Sequence, residues 1–401
     1  MRGGAWWLFL IVLFALATAT GRHTLAMFVI ILALATLVSE RWGRDSLHRV
    51  RYRRYLGKSQ LSYGEETSLV VEITNAKLLP LAWIRALDAF PLGLSVSTSE
   101  IQYTQTSDTG LLLTLVSLRW FERVRHTHRV KGVHRGRFAI GPVQLSSADI
   151  FGFSKSFRTD STVDYLTVYP KIVPVEALTY PAGRPVGEWL GRRRVIEDPL
   201  RFSAVREYRS GDNPRYIHWR ASARTGDLQT KTFEPSETVS LMLAVDVETS
   251  PQAYTYVPEL LELVLSAAAS IAVDALQERY MVGMFMNAIG LRGESWVQVS
   301  PGRHERQASD LLSAMAMVDA FRGAPFLEML RAMRVNMPYG ASVVAITTDP
   351  SEETYEALSL IQEAGHPVLL LTVGDMPPVV PERLDSIHLG GSDAWQRLEN
   401  L

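Results

Sequence analysis

Cysteine is absent from this chain of 401 residues. That excludes a disulfide framework, thiolate zinc sites, iron–sulfur clusters and thiol nucleophiles, and it leaves the redox compartment open. Lysine is scarce as well: only six of the 41 basic residues are lysine and the rest are arginine, which favours fixed ion-pair geometry over loose solvation. Net charge is close to absent, at -1, so the chain as a whole is not basic and nucleic acid is not an expected partner. The first strand of the C-terminal half leads into Asp246-Val247-Glu248-Thr249-Ser250 instead of a glycine-rich loop, which disfavours nucleotide binding by GxGxxG or GxxxxGK[ST]. A Gly-x-Ser-x-Gly elbow and a His-Glu-x-x-His helix are missing too, and no nucleophile stands paired with a base. At 47% hydrophobic and 21% charged, the chain is too apolar to be disordered and long enough for two or three domains.

Apolar residues are concentrated at the start. Ala5 to Thr20 and Thr24 to Val38 are apolar runs separated by Gly21-Arg22-His23. A single helix through both would bury Arg22 near mid-bilayer at a cost of about 2.5–3.5 kcal/mol, which two helices and a turn avoid. Residues 1–42 therefore read as a transmembrane hairpin with Trp6, Trp7 and Trp42 at headgroup level. Between Arg41 and Lys58 stand seven basic residues (Arg41, Arg44, Arg49, Arg51, Arg53, Arg54 and Lys58), against Arg22 alone in the turn. Positive charge held inside predicts cytoplasmic N and C termini and cytoplasmic soluble domains. Residues 43–58 form a basic juxtamembrane segment that either rests on membrane lipid or serves only as a topology signal.

Residues 59–175 read as strands: 69–75, 111–120, 126–132 and 137–147, broken by Gly141-Pro142, with no amphipathic helix between them. That spacing predicts an immunoglobulin-like β-sandwich. His126 and His128 share a strand face and His134 follows, but no neighbouring carboxylate completes a metal site, so they read as an exposed polar face. Residues 239–401 change period. Strands over 240–247, 280–287, 296–300, 341–348 and 366–373 alternate with helices over 258–277, 310–318, 326–333 and 352–364, which predicts a Rossmann-type parallel sheet covered on both faces. Functional groups in such sheets gather beyond the strand carboxyl ends, here Asp246, Asn287 and Asp349.

Residues 176–238 hold the most unusual stretch. From Arg184 to Arg224 there are ten arginines against five acids: Glu188, Glu197, Asp198, Glu207 and Asp212. Gly211-Asp212-Asn213-Pro214 reads as a turn, Pro214 to Arg224 as a short helix placing Arg215 four residues from Trp219, and 228–234 as extended. Two roles stand for the segment. It is an intramolecular joint in which Glu207, Asp212, Glu234 and Glu237 neutralise Arg206, Arg215, Arg224 and Lys231, or it is a docking surface for a partner or a small anion.

The order Arg206, Tyr208, Gly211, Asp212, Arg215, Ile217, Trp219, Ala223, Arg224, Lys231, Glu234 closely resembles the signature R-x-Y-x-x-G-D-x-x-R-x-I-x-W-x-x-x-A-R, followed by lysine and an acid, of a bacterial membrane protein family catalogued as domain of unknown function 58. The run from His134 to Gly152 is similar to that family's sandwich end, with Ile150 in place of a proline and Phe153 in place of a leucine. The resemblance implies a protein of the bacterial inner membrane with a von Willebrand factor A-like α/β domain. It further implies work beside a MoxR-type AAA+ ATPase and other envelope or complex-assembly proteins, genes for transglutaminase-like proteins often lying nearby, and no established enzymatic activity. A von Willebrand factor A domain can hold a divalent cation such as Mg or Ca through D-x-S-x-S, a threonine and a later aspartate. Asp246, Ser250 and Asp349 fit that pattern, while Glu248 stands where a serine belongs. Glu248 either ligates directly or crowds the cavity and pairs with an arginine. The expectation is a non-enzymatic, membrane-anchored adaptor without a cofactor; the alternative is a metal-dependent hydrolase or transferase using Asp246, Glu248 and Asp349.

Overall fold

The computed structural model describes residues 3–97, 101–103, 109–149, 155–175, 197–209, 212–235, 240–250, 252, 255–318 and 321–399. It divides into two compact units, Met1–Val168 and Tyr169–Leu401.

The first unit opens with two apolar helices, α1 (Gly3–Ala19) and α2 (His23–Asp45). Gly21, at φ +67°, makes the turn between them, a backbone region that a side chain would strain. Thr18 and Thr20 return their hydroxyls to the carbonyls of Phe14 and Leu16, so neither polar group is left without a partner in the apolar run. The helices run antiparallel, with Trp6 Nε1 donating to Thr36 Oγ1 at 3.3 Å and Trp7 Nε1 to Glu40 Oε1 at 3.2 Å. Among the described residues, one helix is long and apolar enough to cross a membrane: α2, of 23 residues and mean hydropathy 1.9. Helix α1, of 17 residues, is shorter.

Twelve strands follow: β1 (Val50–Leu56), β2 (Gln60–Leu61), β3 (Glu66–Asn75), β4 (Leu81–Pro91), β5 (Leu94–Val96), β6 (Ile101–Tyr103), β7 (Thr109–Leu118), β8 (Arg123–Gly132), β9 (Gly136–Ile140), β10 (Val143–Ala148), β11 (Lys155–Asp160) and β12 (Asp164–Val168). They pair in the orders β1-β3-β8-β5, β11-β10-β4-β7-β6 and β2-β12-β9. Val71 and Ile73 of one large sheet and Ile84, Leu118 and Leu145 of the other meet in a common core, so the two sheets face each other. Each such side chain contributes about 1.5–3 kcal/mol on burial.

Two expectations for this unit need correction. Residues 50–56 of the expected basic juxtamembrane segment, 43–58, form strand β1 of the sandwich, paired with β3 from Val50 opposite Asn75 to Leu56 opposite Leu69. Alternation turns Tyr52 and Arg54 inward while Arg51 and Arg53 face out. Arg54 is buried, with Asp88 at 2.9 Å and Asp164 at 2.8 Å, and Tyr52 Oη donates to Asp88 Oδ2 at 2.5 Å. Burial pushes the Asp88 carboxyl up and the Tyr52 hydroxyl up further, with Arg54 opposing both. Second, His128 does not lie on an exposed face: it is buried, its ring centroid 4.6 Å from that of exposed His126.

The second unit starts at Tyr169, with Val173 and Val175 in its core, and its first strands form a two-stranded antiparallel hairpin, β13 (Glu197–Glu207) and β14 (Gln229–Pro235), whose connection carries a 3-10 turn, Pro214–Tyr216, and a short helix, α3 (Trp219–Thr225). Then come β15 (Ser240–Val245), α4 (Pro258–Gln277), β16 (Met281–Met286), β17 (Val297–Gly302), α5 (Gln307–Ala316), α6 (Phe326–Asn336), β18 (Ser342–Thr347), α7 (Glu352–Glu363), β19 (Val368–Val373), β20 (Asp385–Gly390) and α8 (Ser392–Glu399). The sheet runs β17-β16-β15-β18-β19-β20, parallel except for β17. Helices α4, α5 and α8 cover one face, and α6 and α7 the other. All five expected strands are present. The third is an antiparallel edge strand, because the connection from β16 is too short to cross over with a helix. The sheet also gains β20, which the sequence pattern did not mark.

Candidate functional site

The arginine hairpin is built around one carboxylate. Asp212 receives both guanidinium nitrogens of Arg206, at 2.8 and 2.7 Å, and the Arg209 amide at 2.8 Å. The Arg206 guanidinium, then the Arg209 amide, hold the Asp212 carboxyl down to about 2. Tyr208 Oη donates to the Asp212 carbonyl at 3.3 Å, and the Tyr208 amide bonds to the Leu228 carbonyl on the returning arm. A planar fork on a carboxylate fixes orientation as well as distance. It fixes the two ends of the turn, Arg209 and Asp212, to Arg206.

Past that turn the chain does not run as one helix from Pro214 to Arg224. Asn213 caps the 3-10 turn by accepting the Arg215 amide at 3.1 Å, Ile217 and His218 are extended or nearly so, and α3 restarts at Trp219. His218 Nδ1 accepts the Ala221 amide at 3.0 Å as the cap of α3, and Gly226, at φ +81°, ends it. The break separates Arg215 from Trp219, and the cation–ring contacts among the described residues do not include this pair. Trp219 is 70% exposed, and Arg215, Arg220 and Arg224 are exposed as well. None of those three arginines has an ion pair among the described residues. Of the expected intramolecular network, the structure shows the Arg206–Asp212 pair. Lys231 lies on β14 with Glu234; Gly211, Glu188, Glu237 and Arg184 to Arg194 lie outside the described residues, as do Ile150 and Phe153.

The second site is the carboxyl end of the parallel sheet, where β15, β16 and β18 bring Asp246, Asn287 and Thr347 together. Asp246 Oδ1 accepts Asn287 Nδ2 at 2.7 Å and the Glu248 amide at 3.1 Å, and Oδ2 accepts the Thr347 hydroxyl at 2.8 Å. Asn287 Oδ1 in turn accepts the Val247 amide at 2.8 Å. Burial pushes the Asp246 carboxyl up to about 6 against the pull of Thr347, the Glu248 amide and Asn287. Glu248 turns away and pairs with Arg322. Ser250 Oγ bonds to Thr255 Oγ1 at 2.8 Å, and Asp349, two residues past β18, is exposed. Among the described residues no group of three or more His, Cys, Asp or Glu side chains is arranged to hold a metal ion. Both oxygens of Asp246 are already engaged. Thr347 and Arg322 escaped sequence reasoning, although Thr347-Thr348-Asp349 at a strand end carried a signal.

The uncharacterized protein YeaD of Bacillus subtilis (strain 168) is 25% identical over 235 residues, 58% of this chain and 54% of that protein, so the chain spans about half the length of the curated relative it matches. Among solved structures, a CARDB domain from Pyrococcus furiosus aligns with 30% of this chain and 91% of its own length at 10% identity and a TM-score of 0.20. A cohesin module from Clostridium perfringens aligns with 30% of this chain and 96% of its own length at 6% identity and the same TM-score, 0.20. Likeness at that level carries no argument. Residues 204–375, from within β13 to just past β19, match the family model described as "Protein of unknown function DUF58".

Proposed function

We propose that this chain is a non-enzymatic adaptor anchored in the bacterial inner membrane by α1 and α2 as a two-span hairpin, with its termini and soluble units in the cytoplasm. Its first unit is read as immunoglobulin-like and its second as von Willebrand factor A-like. The arginine hairpin docks a partner, for which the family resemblance supplies a class, a MoxR-type AAA+ ATPase. One observation carries this reading: Asp212 is committed to Arg206, while Trp219, Arg215, Arg220 and Arg224 stand exposed on the connection it shapes. An aromatic ring among arginines is the composition of an interface anchor, and acidic side chains on the partner would complement it.

Co-purification of the full-length chain with the ATPase tests it. Trp219→Ala and the pair Arg220→Glu with Arg224→Glu are expected to lose the ATPase while keeping wild-type expression and circular dichroism. Wild-type recovery by both variants would remove the hairpin as the docking surface. A reporter fused after Leu401 that is active only outside the cytoplasm overturns the orientation.

A further inference from the structure

Beyond the hairpin of helices, the first unit carries a cluster of exposed apolar side chains at the end where α2 enters it. Leu78 is 75% exposed, Trp120 63% and Phe121 64%. Leu78 belongs to the β3–β4 loop and the other two to the β7–β8 loop. Asn75 knits the loops together: its Nδ2 donates to the Leu79 carbonyl at 2.9 Å and the Arg119 carbonyl at 2.8 Å, and its amide bonds to the Glu122 carbonyl at 2.9 Å. The Phe121 amide bonds to the Lys77 carbonyl at 3.2 Å, and the Ala76 amide to the Arg49 carbonyl at 3.1 Å.

This cluster is fixed to the end of α2. Lys77, beside Leu78, donates its ammonium to the carbonyls of Asp45 at 2.7 Å and His48 at 2.9 Å, and to that of Ser46. Ser39 Oγ on α2 donates to Asp149 Oδ2 at 2.6 Å, Ser156 Oγ bonds to the Gly43 carbonyl, and Leu47 enters the sandwich core. The backbone is also unusual there. Arg49 (φ 53°) and Phe121 (φ 51°) are two of the three non-glycine residues with positive φ in the described chain. A bulky residue in that region is an outlier held by its surroundings. Here the conformation leaves the ring in the open.

We propose that these two loops form a bilayer-facing platform, with Leu78, Trp120 and Phe121 seated in the headgroup layer beside α2 and exposed Arg49 and Arg119 meeting lipid phosphates. The proposal rests on the reading of α2 as a membrane anchor. Asp45 stands seven residues past Val38, about 10 Å along the helix axis. The headgroup region is roughly 5–8 Å deep on each side, so loops clasping that helix end stand within a few ångströms of it. Trp at the interface with Arg beside it is the composition that layer selects. The occupant is lipid because the patch continues the surface on which the anchoring helix already stands.

The test uses the full-length protein in vesicles of phosphatidylcholine and phosphatidylglycerol. A chain without cysteine accepts single spin labels cleanly. Leu78→Cys and Phe121→Cys are labelled separately, with Leu92→Cys, in the loop at the other end of β4, as an aqueous reference and Leu34→Cys on α2 as a hydrocarbon reference. Labels at 78 and 121 are expected to collide more with oxygen and several-fold less with a water-soluble nickel chelate than the label at 92. If both match the label at 92 while the label at 34 is deep, the platform is overturned and the anchor stands. Labels at 78 and 121 shielded from both reagents indicate a protein contact and also overturn it. A water-exposed label at 34 overturns the anchor reading and the platform with it.

Discussion

Arg206 and Asp212 meet through two parallel hydrogen bonds of 2.8 and 2.7 Å, six residues apart across a turn. An arrangement of this kind needs the guanidinium plane. Arg206→Lys keeps the charge and loses the second bond, so the Arg209 amide, which donates to the same carboxylate, is expected to exchange its hydrogen several-fold faster. Unchanged exchange at Arg209 would show that the turn holds itself.

The same pair sets an acid limit. The Asp212 carboxyl is held down to about 2, below its ordinary value, so ionisation favours the folded turn above about pH 4. That contribution fades as pH falls through about 2. Hairpin protection followed by hydrogen exchange is expected to be level from pH 7 to about 4 and to decline below it; a decline centred near pH 6 would point to another group.

Asp246 titrates in the opposite sense. Its carboxyl is pushed up to about 6, so burying its charge costs the folded state as pH rises. The penalty grows between about pH 4 and 6 and is constant above. Asp246→Asn keeps an oxygen for Asn287 and the Glu248 amide, and its amide donates to Thr347, whose hydroxyl turns round. The stability of this variant relative to wild type is therefore expected to rise across that window by about 3 kcal/mol, since each pKa unit is worth about 1.36 kcal/mol. Urea unfolding at pH 4 and pH 7 measures it, and a difference that does not change with pH refutes it.

Lys77 bonds three carbonyls at and just past the end of α2. Lys77→Met keeps the volume and takes the ammonium donor from the Ser46 and His48 carbonyls, the Asp45 carbonyl keeping the His48 amide, with an expected loss of about 2 kcal/mol. A lowered Tm in detergent, larger than for Lys58→Met on the exposed Lys58–Glu65 pair, is the measurement.

Magnesium, calcium or manganese at millimolar concentration is expected to leave the Tm of the full-length chain unchanged. Both Asp246 oxygens already accept hydrogen bonds, and Glu248 is paired with Arg322. A rise in Tm with any of the three ions would falsify this, and Arg322→Ala, which releases Glu248, is the variant most open to one.

Legibility in the sequence followed the range of the interactions. Strands β15, β16, β18 and β19 are continuous apolar runs with helices between them, and their period alone identified them. Strand β1 escaped because Arg-Tyr-Arg-Arg-Tyr reads as a charge cluster. Its inward arginine makes sense only once Asp88 and Asp164, remote in sequence, arrive beside it. The arginine hairpin was recognisable by residue type and order, but its local shape was not. A histidine ring nitrogen caps α3 and divides what spacing alone treated as one helix. At the sheet end, Asp246 and Asn287 were marked by position, whereas their joining to Thr347 required the strand order.

Between Asp45, the last residue of α2, and Val50, the first of β1, lie four residues. The backbone is bonded throughout: Ser46 to Gly43, His48 to Asp45, Val50 to Leu47 and Ala76 to Arg49. No swivel exists at this junction. A helix coupled so stiffly to a sandwich behaves as a lever arm, so a bilayer thin enough to tilt α2 turns the sandwich by the same angle. On the proposed anchoring of α2, membrane thickness would become an input that the sandwich registers as orientation.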